Sequence, residues 1–308
     1  MPHPEEWKAT RRALLRLTGL SALLAACRAL PSPTPSRLPT RVPTRTWTPT
    51  PTPTSTPTAT STLVPTPTPV PSPTLVASAT PAPTPTATSR PLSVISLIHG
   101  PYRALVVDGV LQRFGLPSVN IRVDQGESVP DLTAYDAVVF AGGEYGPEEF
   151  DLPIFQAERE RVVAALEARI PILGICLGNQ LLAHWLGGEV RPGRWEIGWL
   201  PVTVNEDGRD DPLLAGLGDR FHAFLWHGDQ VTRLPEEAVL LASSERCPVQ
   251  VFRLRGLPVW GVQFNPQYDP VIAEGVIRAA KTLPTRGYEI EEMVATGYRE
   301  YDDLAGSP

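Results

Sequence analysis

Cysteine is scarce in this chain, which has three in 308 residues: Cys27, Cys176 and Cys247. Small domains held together by disulfides carry a denser and even set of cysteines. A disulfide framework is therefore excluded. The folded part must be stabilised by a hydrophobic core, and residues 92–283 are long enough to build one.

Glycine, aspartate and glutamate are absent from residues 31–90, which hold 17 of the 36 prolines and otherwise consist mostly of Thr, Ser and Ala. Such a segment cannot bury an apolar core. Alternating Pro and Thr favour the polyproline II conformation, in which this stretch would reach at most roughly 190 Å at ~3.1 Å per residue. We predict that residues 28–91 are a disordered Pro/Thr-rich linker that holds the following domain away from a surface. Binding of a proline-recognising partner is the alternative.

Long hydrophobic runs are also missing from the start of the chain. The apolar stretch at residues 17–26 has ten residues and follows several arginines, which is typical of a signal peptide and too short to span a bilayer. Arg11 and Arg12 resemble the twin-arginine (Tat) export motif, and residues 24–27, Leu-Ala-Ala-Cys, resemble the lipobox of bacterial lipoproteins. An ordinary basic leader and a cleavage site that happens to contain Cys are the alternatives.

The lipobox resemblance implies that residues 1–27 are a signal peptide and that Cys27 receives the lipid and becomes the new N-terminus. Two or three acyl chains make a stable membrane anchor. We therefore expect the protein to be extracytoplasmic and lipid-anchored to a bacterial membrane surface, with the membrane as a partner.

The net charge of −6 is distributed unevenly, because the residues before Pro91 are net basic and the rest of the chain is more acidic than the total. An acidic domain repels phosphate backbones. Nucleic acid is therefore not an expected partner.

Hydrophobic patterning after residue 91 alternates between strands and helices. It predicts strands at 92–98, 118–123 and 135–141, and helices at 104–114 and 154–168, the latter with the charged residues 158–161 mostly outward. This order is typical of an α/β fold with a mainly parallel sheet and helices on both faces. Shorter β-like segments between residues 198 and 264 are expected to extend the sheet and form a small antiparallel layer beside it. A helix at 270–281 follows, and residues 284–308 form an acidic C-terminal tail to which we assign no function.

Residues 171–190 organise the domain, since an apolar strand pattern runs into Gly-Ile-Cys-Leu-Gly at 174–178 and then into a helical pattern. Flanking glycines permit the sharp turn of a nucleophile elbow, which exposes Cys176 beside the first N–H groups of a helix. These groups favour a thiolate. The alternative is a buried Cys beside an ordinary Gly-rich turn.

Three motifs together resemble class I glutamine amidotransferase domains, particularly the glutaminase part of GMP synthase: residues 174–180, residues 226–230 (Trp-His-Gly-Asp-Gln) and residues 261–267 (Gly-Val-Gln-Phe-Asn-Pro-Gln). The resemblance covers residues 92–283 and implies a flavodoxin-like fold with the nucleophile elbow at Cys176. It further implies that Cys176 attacks the glutamine amide and that no cofactor is required. By the same resemblance, the N–H groups of Gly143 and Leu177 form the oxyanion hole, and Gln180 and His227 bind substrate.

The sequence departs from the family at two positions, where the His and Glu that complete the catalytic triad are replaced by Asn265 and Gln267. An amide cannot move a proton near neutral pH, and loss of the nucleophile's base is very costly in triad enzymes. We therefore expect a pseudoenzyme that is defective in glutamine hydrolysis and binds a small amide, amino acid or cell-wall fragment. The alternatives are an active cysteine-dependent glutaminase or amidase that uses another base such as His227, and a protein-interaction module.

Other ionisable residues offer weaker candidates. His99, His184 and His222 are interpreted as packed or solvated histidines, with a role as base as the alternative for each. Glu144 is interpreted as a loop carboxylate. No metal-ligand spacing is present, so no metal is expected. Cys247 is interpreted as a packed strand residue, and a disulfide with Cys176 is left open.

Overall fold

The structure is a computed structural model, and it describes residues 92–100, 104–116 and 118–306. The predicted signal peptide, the linker and Cys27 lie outside these residues. Among the helices within them, none has the length and the apolar character needed to cross a membrane.

In the described part of the chain, one sheet contains nine strands. These are β1 (Val94–His99), β2 (Ser118–Arg122), β3 (Ala137–Gly143), β4 (Ile172–Ile175), β5 (Glu189–Val204), β6 (Arg220–Arg233), β7 (Ala238–Ser243), β8 (Val251–Leu254) and β9 (Val259–Val262). Their order is β2-β1-β3-β4-β9-β8-β7-β5-β6. The strands β2, β1, β3, β4 and β9 are parallel to one another. The pairings among β9, β8, β7, β5 and β6 are antiparallel.

Six α-helices accompany the sheet within the described residues. They are α1 (Ala104–Arg113), α2 (Pro153–Glu167), α3 (Leu177–Trp185), the short α4 (Glu206–Arg209), α5 (Pro270–Ala279) and α6 (Ile290–Gly306). The predicted strands and helices up to α3 coincide with observed ones to within two residues at most ends, because their apolar periodicity is strong.

Two hydrophobic cores lie on opposite faces of the parallel strands. Successive strand residues point to opposite faces, so Val139 packs with Leu111 of α1 in one core, while Phe140 packs with Phe155 of α2 and Leu181 of α3 in the other. The predicted α/β architecture with helices on both faces is confirmed.

The antiparallel segments differ from the expectation of a separate layer, because β5 to β8 continue the same sheet. The long β5–β6 hairpin pairs Glu196 with His227 and Trp199 with Phe224. Each added strand pairs with the free N–H and C=O groups at the edge of the sheet. One continuous sheet therefore leaves fewer backbone groups unpaired than two separate sheets would.

The charged residues 158–161 are mostly outward, as predicted, except Glu158, which is fully buried with its carboxylate against the ring of His99. One local prediction was wrong. Cys247 is buried but lies in the irregular segment between β7 and β8, not in a strand.

Within residues 284–308, the segment that forms α6 packs against α5 and the β5–β6 hairpin. Arg278 of α5 donates to Glu291 at 2.6 Å, and Tyr298 donates to Glu274 at 2.8 Å. A Cβ atom on Gly297 would lie 2.3 Å from the indole nitrogen of Trp199, so the helix lies directly on that ring. The acidic C-terminal residues are thus largely helical and held by ion pairs.

Candidate functional site

Cys176 lies at the junction of β4 and α3, as the elbow pattern predicts. Its backbone has φ 54° and ψ −104°, a conformation that non-glycine residues rarely adopt and that concentrates at functional sites. The Cys176 N–H donates to the carbonyl of Val262 at 2.8 Å. A Cβ atom on Gly178 would lie 2.4 Å from that of Phe140, which explains why the turn needs glycine there.

Gly143 ends β3 and lies against the first residue of α3. A Cβ atom on Gly143 would be 2.5 Å from Leu177 Cδ2 and 2.8 Å from His99 Cβ. This contact brings the end of β3 and the N-terminus of α3 together. The oxyanion hole, in which Gly143 and Leu177 would supply the two N–H groups, stays a prediction.

The sulfur of Cys176 has two polar neighbours among the described residues. Gln263 Nε2 donates to Sγ at 3.8 Å, and the thiol donates to the carbonyl of Trp226 at 3.9 Å. Cys176 is only 4% exposed. Within the described part of the chain, no imidazole or carboxylate forms a hydrogen bond with this sulfur.

Asn265 and Gln267, which the sequence predicts to stand at the positions of the family's base and its partner, lie shortly after β9. Both are buried, and Gln267 Nε2 donates to Asn265 Oδ1 at 3.3 Å. The Asn265 N–H donates to the carbonyl of Phe224 at 2.8 Å. The two amides therefore contact each other as an imidazole and a carboxylate would, but neither carries charge.

Gln180 lies in the first turns of α3 and is buried. Its Nε2 donates to the carbonyl of Asp229 at 2.8 Å and to Gln263 Oε1 at 3.2 Å. It thus links the elbow helix to β6 and to the segment after β9. Its predicted substrate contact stays a prediction.

His227 lies in a buried pair with Glu196 rather than beside the sulfur. Its Nε2 is 3.1 Å from Glu196 Oε2, and its Nδ1 is 3.1 Å from the carbonyl of Asp229. Burial by itself would raise the pKa of Glu196, but hydrogen bonds from His227 and Ser244 outweigh burial and bring that pKa below its usual value. Both ring nitrogens of His227 therefore face groups other than the thiol of Cys176.

The other described histidines also contact groups other than the thiol. His99 Nε2 lies 2.9 Å from Glu158 Oε1, with both side chains fully buried. Burial by itself would lower the pKa of His99, but the charge and hydrogen bond of Glu158 outweigh it and raise that pKa. His184 packs edge-on against Phe150, and His222 lies 2.9 Å from a carboxylate oxygen of α6.

A group of possible metal ligands appears that spacing could not reveal, because its members come from three separate segments. The ligand atoms of Glu196, His227 and Cys247 lie within 4.8 Å of one another. However, Ser244 and Gln250 also donate to the Glu196 carboxylate, at 2.7 and 2.9 Å. Burial raises the pKa of Cys247 to about 12, so its sulfur stays a thiol. Glu196 is thus the centre of a buried hydrogen-bond network, while the Cys247 thiol donates to the carbonyl of Val249 at 3.3 Å.

Carboxylates near the hairpin add negative charge on one side of the site. Burial and the nearby charge of Glu148 raise the pKa of Asp229. Glu144, which the sequence analysis interprets as a loop carboxylate, is exposed on the loop after β3. Both thiols of the described residues, Cys176 and Cys247, are free.

Comparison with known proteins places these features in a family. The family model of class I glutamine amidotransferases matches residues 106–274. The chain is 38% identical over 170 residues to one of the subunits of the glutamine-hydrolysing GMP synthase from Sulfolobus acidocaldarius, and the match covers 54% of this chain and 85% of that protein. It is 36% identical over 138 residues to the GMP synthase of Porphyromonas gingivalis, covering 44% of this chain but only 26% of that protein.

The fold is also similar to that of solved structures. A glutamine amidotransferase from Thermotoga maritima superimposes with a TM-score of 0.62 at 28% identity, covering 71% of this chain and 95% of that one. The strands and helices of this chain are thus arranged similarly to those of that solved structure.

Proposed function

The chain belongs to the class I glutamine amidotransferase family, and within that family we propose that it binds a small amide or amino acid and does not hydrolyse glutamine efficiently. The observation that carries the proposal is the surroundings of Cys176 Sγ. Its polar neighbours are the amide of Gln263 and the carbonyl of Trp226. The four described histidines lie in other contacts.

Glutamine hydrolysis needs two proton transfers: removal of the thiol proton and donation of a proton to the departing ammonia. At the family positions for these tasks the chain has Asn265 and Gln267, which contact each other at 3.3 Å. An amide performs neither transfer near neutral pH. His227 does not replace them, because its ring nitrogens lie 3.1 Å from Glu196 and 3.1 Å from the carbonyl of Asp229 and not in a hydrogen bond with the sulfur.

Features that would hold a substrate amide are nevertheless present. The elbow places Cys176 at the N-terminus of α3, and Gly143 lies against Leu177 beside it. Gln180 and Asn265 are buried amide side chains near this end of the sheet, and an amide can both donate to and accept from another amide. Such a site supports binding better than turnover.

Turnover of glutamine tests the proposal. We expect the purified protein to release ammonia from glutamine no faster than its Cys176→Ala variant does, while glutamine or a related amide raises the melting temperature of both. Ammonia release at an ordinary enzymatic rate that Cys176→Ala abolishes would contradict the proposal and favour a cysteine amidase. Absence of any small-molecule stabilisation, together with a co-purifying protein, would favour an interaction module.

We also propose that the domain is displayed outside the cytoplasm as a lipoprotein anchored through Cys27. Support comes from residues 24–27 and the preceding arginines, together with the linker at 28–91. The expected result is that the protein partitions into the detergent phase in a phase-separation assay, whereas Cys27→Ser stays in the aqueous phase. Equal partitioning of both proteins would overturn the anchor.

A further inference from the structure

We propose that the domain holds a second ligand site, a cavity between α1 and the sheet that takes a small, uncharged, mostly apolar molecule carrying one hydrogen-bond donor. The cavity has a volume of about 100 Å³. Neither Cys176 nor Gln180 is among the described residues that line it. The proposal therefore goes beyond the proposed function and does not depend on the chemistry of the thiol.

The walls of this cavity come from three parts of the fold. Helix α1 contributes Val107 and Leu111, strands β3 and β9 contribute Val139 and Val262, and the segment between α4 and β6 contributes Leu214. All five side chains are buried and belong to the core on the α1 face of the sheet. The cavity is thus a space within a hydrophobic core, where burial of a further apolar group is favourable.

The cavity reaches the surface between α1 and the segment that follows α4. Four side chains that line it are only partly buried: Val110 and Phe114 of α1, and Leu213 and Leu217 of that segment. These partly exposed side chains mark an opening between the two elements. A small molecule therefore has a path into the core that requires no unfolding of the sheet.

Gln267 is the one polar side chain among the described residues that line the cavity. It is 5% exposed, and its Nε2 donates to Asn265 Oδ1 at 3.3 Å. Its Oε1 is buried and has no hydrogen-bond partner in the described part of the chain. A buried acceptor without a partner costs free energy. A ligand that donates to Gln267 Oε1 would remove that cost, so the occupant should carry an O–H or N–H group.

The chemistry of the walls excludes two other occupants. A buried water typically makes about three hydrogen bonds, and here a single polar side chain lines the cavity, so water would be held poorly. A charged ligand would lose its hydration without gaining a counterion, because no charged side chain is among the described residues of the lining. By contrast, an engineered apolar cavity of ~150 Å³ binds benzene. A single ring with one hydroxyl group matches both the size and the acceptor.

The test compares two probes, phenol and fluorobenzene, on the full-length protein. The rings are nearly equal in size, but phenol alone donates a hydrogen bond. Fluorine NMR gives the Kd of fluorobenzene, and displacement of fluorobenzene gives the Kd of phenol. In Gln267→Met, which removes the acceptor, the preference for phenol over fluorobenzene should fall by about fivefold or more, while fluorobenzene still binds.

The matched control for this variant is Gln250→Met. Gln250 is also a buried amide whose Oε1 has no hydrogen-bond partner in the described part of the chain, but it is not among the residues that line the cavity. Its replacement should leave the preference between the two probes unchanged. A ratio that fell equally in both variants would contradict a direct contact between phenol and Gln267.

A second variant tests the cavity without changing Gln267. Val110→Phe places a larger side chain at the opening and should abolish binding of both probes. Val163→Phe makes the same exchange at an exposed position of α2 outside the lining and should leave binding unchanged. If Gln267→Met fails to fold, as a melting curve would show, this pair of variants alone decides whether the cavity is the site.

Three results would overturn the inference: no saturable binding of fluorobenzene, an unchanged preference for phenol in a folded Gln267→Met, or full binding by Val110→Phe. None of them bears on ammonia release from glutamine. The proposed function and the second site therefore succeed or fail separately.

Discussion

Several buried amides lie in the segment after β9, one of them beside the Cys176 sulfur, whereas two buried histidine–carboxylate pairs lie elsewhere in the domain. Gln263 donates to the sulfur and Gln267 contacts Asn265. By contrast, His99 lies 2.9 Å from Glu158, and His227 lies 3.1 Å from Glu196.

The contrast separates two uses of buried charge. A buried imidazole and carboxylate that contact each other hold strands and helices together, because removing one partner leaves the other unpaired in a low dielectric. The same pair beside a thiol would carry protons. This chain has the first kind at two places, and at residues 265 and 267, where we expect the second kind from the resemblance to the family, it has amides.

The largest effect that would test this contrast is a gain of catalysis. Restoring the family residues with Asn265→His and Gln267→Glu together should raise ammonia release from glutamine by about 10²–10⁴-fold, because a positioned base and acid then adjoin Cys176. A coupled ammonia assay measures the rate. Addition of Cys176→Ala to the double variant should abolish the gain.

The single variants provide the matched controls for that experiment. Gln267→Glu alone introduces a buried carboxylate without an imidazole, so it should lower the free energy of unfolding, and Asn265→His should recover part of the loss. Ammonia release by the double variant no faster than by the wild type would show that more than these two residues separates the chain from an active glutaminase.

A smaller effect concerns stability at the His99–Glu158 pair. Glu158→Gln leaves the buried imidazole without its charged partner and should lower the free energy of unfolding by about 3–5 kcal/mol at pH 6. Chemical denaturation measures the change. Glu160→Gln, on the exposed side of the same helix α2, is the control and should be nearly neutral.

The pH dependence of that loss follows from the raised pKa of His99. A histidine whose pKa is higher in the folded state contributes stability that is complete below about pH 6.5 and declines as pH rises through the raised value. The difference between wild type and Glu158→Gln should therefore shrink from pH 6 to pH 9. A difference that stayed constant would mean that His99 is neutral throughout this range.

Prediction from sequence succeeded where periodicity or a motif was strong. The elbow at Cys176 follows from two glycines between an apolar run and a helical pattern, and the two-faced sheet follows from the alternation of strands and helices. Glu158 was missed because it stands in a run of four charged residues, and charge runs usually face solvent. Only the fold places His99 of β1 beneath it.

The relation of Glu196 to Cys247 was missed for a similar reason. Their ligand atoms and that of His227 come together from β5, β6 and the segment after β7, and spacing along the chain does not predict contacts between segments so far apart. The contacts of the Gln263 amide likewise depend on Asn179 and Gln180, which lie in the elbow helix far away in sequence.

The sequence by itself determined the fold class, the position of the thiol in the strand-to-helix turn and the presence of amides at residues 265 and 267, because these depend on local patterns and residue identity. Only the tertiary structure decided which histidines are already paired and which amide faces the sulfur. Hydrogen bonds are short-ranged and directional, so their partners are set by strands and helices that meet in the folded chain and not by their order along it.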